Sequence, residues 1–168
     1  LSLHEAAPGH HFQTMLAIEN SSLAKYRRYA SNTAFDEGWA LYAESLGYQM
    51  NLFDDPVQRY GNLSDELLRA MRLVVDTGLH AKAWTRAQAI AYMTMNSSLS
   101  DHDIRSEVER YMAIPAQALA YKMGQMKIQQ LRQQAEQALG PRFDIKVFHQ
   151  QILQGGSLPL PVVEKHIQ

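Results

Sequence analysis

Apolar residues recur along most of the chain at the spacing of an amphipathic helix, and the sustained alternation typical of a strand is absent. The glutamine-rich stretch 125–137 keeps this helical spacing at Met126, Ile128 and Leu131, which indicates a helix with one solvated face rather than a low-complexity segment. The pattern therefore predicts an all-α fold, a bundle of about seven to nine helices with little or no sheet.

Signals for helix starts and ends divide this pattern into segments. Ser, Thr and Asn before a helix accept hydrogen bonds from its first N–H groups, Pro fits the first turn, and Gly fits just past the last one. Residues 57–83 are expected to form one long helix or two, and Pro8-Gly9 interrupts the apolar pattern of residues 1–19. The predicted caps and ends are Thr33, the capping-box pair Thr85 and Gln88, Ser100, Pro115 and Gly140.

Length and composition place the chain among globular proteins. It has 168 residues, of which 46% are hydrophobic and 20% charged, so residues 1–168 are expected to form a single helical domain. Because a dense polar motif follows Leu1 within four residues, we expect this domain to be the C-terminal part of a longer protein. A net charge of −1 supports neither nucleic acid nor an anionic membrane as a partner, and no apolar run is long enough to span a bilayer.

The strongest chemical signal is the segment HEAAPGHH, residues 4–11, which holds three histidines and a glutamate. The chain has no cysteine, so imidazole and carboxylate groups are the natural ligands for zinc. In the common zinc-binding helix, the motif His-Glu-x-x-His has histidines at positions i and i+4 and a glutamate that faces the catalytic water. The composition of the segment predicts a zinc site.

The spacing departs from that motif, because the residue four positions after His4 is Pro8. In a regular helix His10 would lie about 9 Å further along the axis and on the wrong face to share a metal. Since Pro8 disrupts a helix and Gly9 tolerates unusual dihedral angles, we predict a two-residue bulge over Ala7-Pro8-Gly9 that returns His10 to the face of His4. The alternative is a Pro-Gly turn with exposed histidines.

A third ligand is predicted in the segment DEGWALYAE, residues 36–44. A two-histidine site needs one more protein ligand, and Glu37 lies in a separate predicted helix that can pack antiparallel to the first. Gly38 would allow a close helix approach, and Glu44, one heptad after Glu37, would orient a ligand by hydrogen bonding. The alternative for both glutamates is a solvated acidic stripe.

These two segments resemble the bacterial family named domain of unknown function 885 (DUF885), whose members are helical, zincin-like proteins. Three further segments carry the resemblance over essentially the whole chain: DTGLHAKAWTRAQAIAYM at 76–93, RYMAIPAQALAYKMG at 110–124 and GGSLPLPVVEKHI at 155–167. Proteins of this family are several hundred residues long, so the resemblance implies that the chain is the C-terminal half or less. Several members are regarded as lipoproteins, which implies a periplasmic or membrane-anchored location.

The resemblance also implies a ligand set. The wider group is the gluzincin metallopeptidases, in which two histidines and a distant glutamate bind zinc. EGWALYAE is similar to the third-ligand motif of zinc aminopeptidases, which puts Glu37 on the metal, while His4 and Glu5 match the opening pair. The Gly-His step that ends at His10 is similar to the end of the HEFGH motif of oligopeptidases, which puts His10 on the metal. Two extra residues in the segment leave His11 as the alternative ligand.

Candidates for stabilising an oxyanion lie further along the chain. Arg72, Asp76 and His80 are spaced at i, i+4 and i+8, so they form a helix stripe on which Asp76 can hold the tautomer of His80. The candidate donors are His80, Tyr111 and Tyr121, and Tyr121 is preferred among the tyrosines because it ends the PAQALAY segment. The alternatives are a surface ion-pair stripe for His80 and simple packing for the tyrosines.

Several other positions carry weaker signals. Arg110 either binds a substrate carboxylate or pairs with Glu107, three residues before it. Ala116 stands where a glycine in a Pro-Gly-Gln motif is expected. Three further histidines are interpreted as surface residues: His102, His149 and His166.

The first functional hypothesis is a zinc-dependent hydrolase of peptide or related amide bonds, with Glu5 as general base and His80 or Tyr121 as oxyanion donor. Its expected partners are a peptide or small amide substrate and the remaining N-terminal portion of the same protein. The second hypothesis is a non-catalytic helical binding module or degenerate zincin. The third is an amide or ester hydrolase that acts on something other than peptides. The expected zinc ligands are His4, His10 and Glu37.

Overall fold

The computed structural model describes residues 1–167, and every regular element in this range is a helix. The all-α prediction is therefore confirmed, and the eight helices of eight residues or more agree with the predicted number. A single 3₁₀ turn at Gly140–Arg142 follows the eighth helix. The helices are α1 (Ser2–Glu5), α2 (His10–Glu19), α3 (Lys25–Arg28), α4 (Thr33–Gln49), α5 (Pro56–Ala81), α6 (Arg86–Asn96), α7 (Asp101–Ala113), α8 (Gln117–Leu139), α9 (Ile145–Leu153) and α10 (Leu160–Ile167).

Most of the predicted helix signals act as expected. Both hydrogen bonds of the capping box of Thr85 and Gln88 are present, and the Ser100 side chain accepts from the Asp103 backbone N–H. The prediction of Thr33 as an N-cap is wrong by one residue. Asn32 has the extended backbone of an N-cap, and its side chain accepts from the Phe35 N–H at 3.3 Å.

The chain folds into two compact units. The first unit comprises Leu1–Met50 and the residues from Met123 onward, and the second comprises Asn51–Lys122. The core of the first unit is built by α4, α8, α9 and α10, which contribute Phe35, Trp39, Tyr42, Leu46, Ile128, Leu131, Phe148, Ile152, Leu153 and Val163, together with Leu158.

Helices α4 and α8 pack within the first unit with their backbones in contact. A Cβ atom at Gly38 would lie 2.4 Å from the Gly124 Cα, and one at Gly124 would lie 1.9 Å from the Ala34 carbonyl oxygen. Neither position has space for a side chain. The expected close approach at Gly38 is therefore present, and its partner is α8.

His149 of the first unit is half-buried rather than exposed, so its interpretation as a surface residue is wrong. Its Nε2 lies 2.8 Å from the Tyr42 hydroxyl, and its ring packs edge-on against Trp39. Burial, aided by the nearby Arg132 guanidinium, lowers the pKa of His149 to about 4, so the imidazole is neutral at pH 7. The aromatic side chains around His149, Trp39 and Tyr42, belong to α4, which is distant in sequence. The polar residues near His149 in the sequence therefore did not indicate its burial.

The second unit has its own core, formed by α5, α6, α7 and the start of α8. Helix α5 is continuous through Gly61, where a side chain would meet open space. The unit therefore contains one long helix rather than two over this segment. Its buried apolar residues are Met71, Val75, Ala89, Met93, Ile104, Val108, Tyr111 and Ala118.

Ala116 lies in the turn that leads into α8, with φ at +69°, a left-handed conformation that suits glycine. Its backbone N–H donates to both oxygens of the buried Asp76 carboxylate, at 3.1 and 3.3 Å. The conformation directs this N–H into the unit and explains why glycine is expected at this position. Alanine there carries the steric cost of a Cβ in the left-handed region.

We expect Ala116→Gly to raise the free energy of unfolding by about 0.5–1 kcal/mol, because relief of the Cβ contact outweighs the added freedom of the unfolded chain. Urea denaturation followed by circular dichroism measures this change. Ala91→Gly, at an exposed position in α6, is the matched control and is expected to lower stability by about 1 kcal/mol. Equal losses in the two variants would contradict the strain assigned to Ala116.

Candidate metal centre

The segment HEAAPGHH forms a helix, a break and a second helix. Helix α1 ends at Glu5 and α2 begins at His10, so the break over residues 6–9 is larger than the predicted two-residue bulge. The physical reason is that Pro8 has no backbone N–H to continue a helix, and the chain turns before a new helix starts. The predicted consequence is present, because the imidazole rings of His4 and His10 lie edge to face with centroids 4.8 Å apart.

Gly9 makes this turn possible. A Cβ atom at Gly9 would lie 1.8 Å from the His4 carbonyl oxygen and 2.4 Å from that of Leu3. The chain therefore passes directly over the C-terminal end of α1, which only glycine permits. This close passage returns His10 to the side of His4.

Glu37 of α4 approaches both imidazoles. Its Oε2 lies 3.2 Å from His10 Nε2 and 3.7 Å from His4 Nε2. The three side chains form a group whose potential ligand atoms all lie within 4.8 Å of one another. His11 is exposed and outside this group, so His10 is the histidine that faces Glu37.

Glu44 holds the His4 ring from the other side. Its Oε1 lies 2.6 Å from His4 Nδ1, and the two residues are only 6% and 5% exposed. A carboxylate accepts the proton on Nδ1, which leaves the Nε2 lone pair directed at His10 and Glu37. A metal-binding histidine commonly has such a carboxylate behind it, so Glu44 could orient His4 in this way if His4 binds a metal.

Trp39 anchors the turn, and the sequence reasoning missed its role. Its indole Nε1 donates to the Pro8 carbonyl oxygen at 2.7 Å, and the residue is buried. Because Trp39 lies two residues after Glu37, the same helix that carries the carboxylates also holds the break between the histidines. The aromatic residue inside DEGWALYAE was the only available signal for this contact.

The group remains accessible on one side. The side chains of His10 and Glu37 are 27% and 19% exposed, whereas those of His4 and Glu44 are almost fully buried. Glu5, the predicted general base, is exposed at the end of α1, next to His4 in sequence and outside the three-residue group. Two nitrogen ligands and one oxygen ligand could hold a divalent metal with a further position open to solvent.

The candidate oxyanion donors belong to the second unit. His80 Nε2 lies 2.9 Å from the Tyr111 carbonyl oxygen, to which it donates. The interpretation that Asp76 orients His80 is wrong, because the Asp76 carboxylate binds the Ala116 N–H instead. The left-handed turn at Ala116 supplies that donor, and helix spacing does not reveal it.

Tyr111 and Tyr121 flank a buried guanidinium. Arg72 donates to the Tyr111 hydroxyl at 3.0 Å and to Glu107 at 2.7 Å, and it stacks on the Tyr121 ring at 4.8 Å. The Tyr111 hydroxyl donates to Glu107 at 2.5 Å. Burial raises the pKa of Tyr111 despite the nearby Arg72 charge, so its hydroxyl stays protonated at pH 7.

The family model for bacterial proteins of unknown function, DUF885, matches residues 1–167. The chain belongs to this family. The resemblance, which five segments along the chain predicted, is therefore confirmed over nearly the whole sequence. None of the curated proteins compared with the chain matches it.

Two solved structures are similar to this DUF885 chain. A putative lipoprotein from Colwellia psychrerythraea is 47% identical with a TM-score of 0.96, and the match covers 99% of this chain and 28% of that one. A putative lipoprotein of unknown function from Shewanella oneidensis is 27% identical with a TM-score of 0.82, and the match covers 98% of this chain and 30% of that one. The chain thus spans less than a third of either relative. Among the helices of residues 1–167, none has the length and apolar character needed to cross a bilayer.

We expect Gly9→Ala to lower the free energy of unfolding by about 1–3 kcal/mol, because the new Cβ would overlap the carbonyl backbone of α1. Chemical denaturation measures the loss. Gly61→Ala is the matched control in open space on α5 and is expected to raise stability by about 1 kcal/mol. Unchanged stability in Gly9→Ala would show that the chain does not need to pass so close to His4.

Proposed function

We propose that this chain carries the metal centre of a zinc-dependent hydrolase of peptide or related amide bonds. The observation that carries the proposal is the convergence of His4, His10 and Glu37, with Glu44 bound to the far nitrogen of His4. Each of these side chains has a chemical role in such a site. Burial of the Glu44 carboxylate behind His4 costs desolvation free energy, and orientation of a metal ligand would account for its presence there.

The donor set fits zinc. Tetrahedral ligands about 2.1 Å from zinc lie about 3.4 Å from one another. The separations from the Glu37 carboxylate are 3.2 Å to His10 and 3.7 Å to His4, on either side of that value. Imidazole and carboxylate ligands suit zinc in a chain without cysteine.

The residues around His4, His10 and Glu37 would have different roles in hydrolysis. Zinc, when bound, would lower the pKa of water and polarise the scissile carbonyl group. Glu5 would accept a proton from the attacking water and deliver it to the leaving amine. Glu44 would keep the His4 ring in the tautomer whose Nε2 can bind metal.

Of the two predicted oxyanion donors, His80 already uses the N–H group on its Nε2. This group donates to the Tyr111 carbonyl oxygen at 2.9 Å. Tyr121 stays a prediction for this role, and its hydroxyl group could donate to an oxyanion or to another anionic oxygen but not to both at once. The names of the two similar proteins support a periplasmic or membrane-anchored location for the protein that contains this chain.

Glu5→Gln is expected to lower the hydrolysis of a peptide library by at least about 100-fold, because the amide cannot take up a proton. Zinc content should stay at that of the unchanged protein, since Glu5 lies outside the ligand group. The assay uses the longest natural form of the protein, with zinc measured by atomic absorption.

Glu19→Gln, at the exposed end of α2, is the control and should leave both quantities unchanged. Activity that survives Glu5→Gln, or zinc that is lost with it, would contradict the role of Glu5. A zinc-loaded protein with no hydrolytic activity on any peptide or amide would instead favour a non-catalytic binding module.

A further inference from the structure

We propose that Arg110, Gln117 and Tyr121, all within the second unit, form a binding site for the carboxylate group of a small ligand. The proposal stands on hydrogen-bond geometry within that unit and does not depend on zinc or on hydrolysis. The site combines a half-exposed guanidinium, an amide and a buried phenol whose polar atoms lie close together.

The Tyr121 hydroxyl has a proton to donate and no acceptor among residues 1–167. Its oxygen accepts from the Gln117 Nε2 at 3.1 Å, and Arg110 Nη2 lies 3.5 Å away. The Gln117 Oε1 faces Arg110, which sets the amide orientation and leaves its NH₂ group toward the phenol. A phenol whose oxygen already accepts from Gln117 has its own proton left for another group, and an anionic oxygen is the best partner.

The guanidinium of Arg110 has N–H groups without a close acceptor. Its three polar contacts are all long, at 3.5 Å to Gln117, 3.5 Å to Tyr121 and 3.6 Å to Glu107, where a firm N–H···O bond measures about 2.7–3.2 Å. The side chain is 42% exposed, so a ligand can reach it from solvent. A guanidinium presents N–H groups in a planar fork that matches the two oxygens of a carboxylate.

Glu107 is not a full anionic partner for Arg110, because its carboxylate already binds other donors. Its Oε2 accepts from Arg72 at 2.7 Å and from the Tyr111 hydroxyl at 2.5 Å, while Oε1 only approaches Arg110. Asp76 is likewise bound to a backbone N–H. Two guanidinium groups therefore share one carboxylate, and a ligand carboxylate would supply the missing partner for Arg110.

The test is a titration of zinc-free protein with N-acetylglycine and with its uncharged analogue N-acetylglycinamide, followed by NMR of carbon-13-labelled tyrosine rings. We expect a saturable shift of the Tyr121 resonance with the acid and none with the amide. Acetate, run in parallel, distinguishes a site for a bare carboxylate from one that also needs the acylated chain end.

Arg110→Gln is expected to weaken binding of N-acetylglycine by about tenfold or more, and Tyr121→Phe to weaken it as well. Arg105→Gln, which removes an exposed arginine from the same helix, should have no effect. Equal binding of acid and amide, no saturable shift at about 50 mM acid, or unchanged binding in both site variants would overturn the proposal.

Discussion

The candidate metal centre depends on one backbone contact, the passage of Gly9 over the carbonyl end of α1. Six positions separate His4 from His10, and in an uninterrupted helix they would face different directions. Pro8 stops the helix, and Gly9 lets the chain come close enough to start a new one beside the old. A side chain at Gly9 would separate the two imidazoles, so this contact determines whether the ligand group exists.

Helix α4 completes the arrangement from a single rigid element. It presents Glu37 to both histidines and Glu44 to the back of His4, and its Trp39 holds the Pro8 carbonyl. The helix is positioned by its backbone contact with α8 at Gly38 and by its side chains in the hydrophobic core of the first unit. The side chains that would bind metal are thus held by packing and hydrogen bonds that exist without it, which is the preorganisation a metal site needs.

Local signals in the sequence were enough for the helical class, for the caps at Thr85 and Ser100, and for the expectation that His4, His10 and Glu37 meet. They failed where the partner of a side chain is distant in sequence and belongs to no recognisable motif. Asp76 binds the N–H of Ala116 because of a left-handed turn forty residues later, and His149 is caged by aromatic residues of α4. The chemical roles of Glu5, His80 and Tyr121 stay predictions.

The most direct test of the central claim is a competitive zinc titration of the unchanged chain and of His10→Gln and His11→Gln. We expect one zinc per chain, an affinity loss of more than about 100-fold for His10→Gln, and no change for His11→Gln, which is exposed and outside the ligand group. An unchanged chain that binds no zinc, or a loss that follows His11 rather than His10, would contradict that claim.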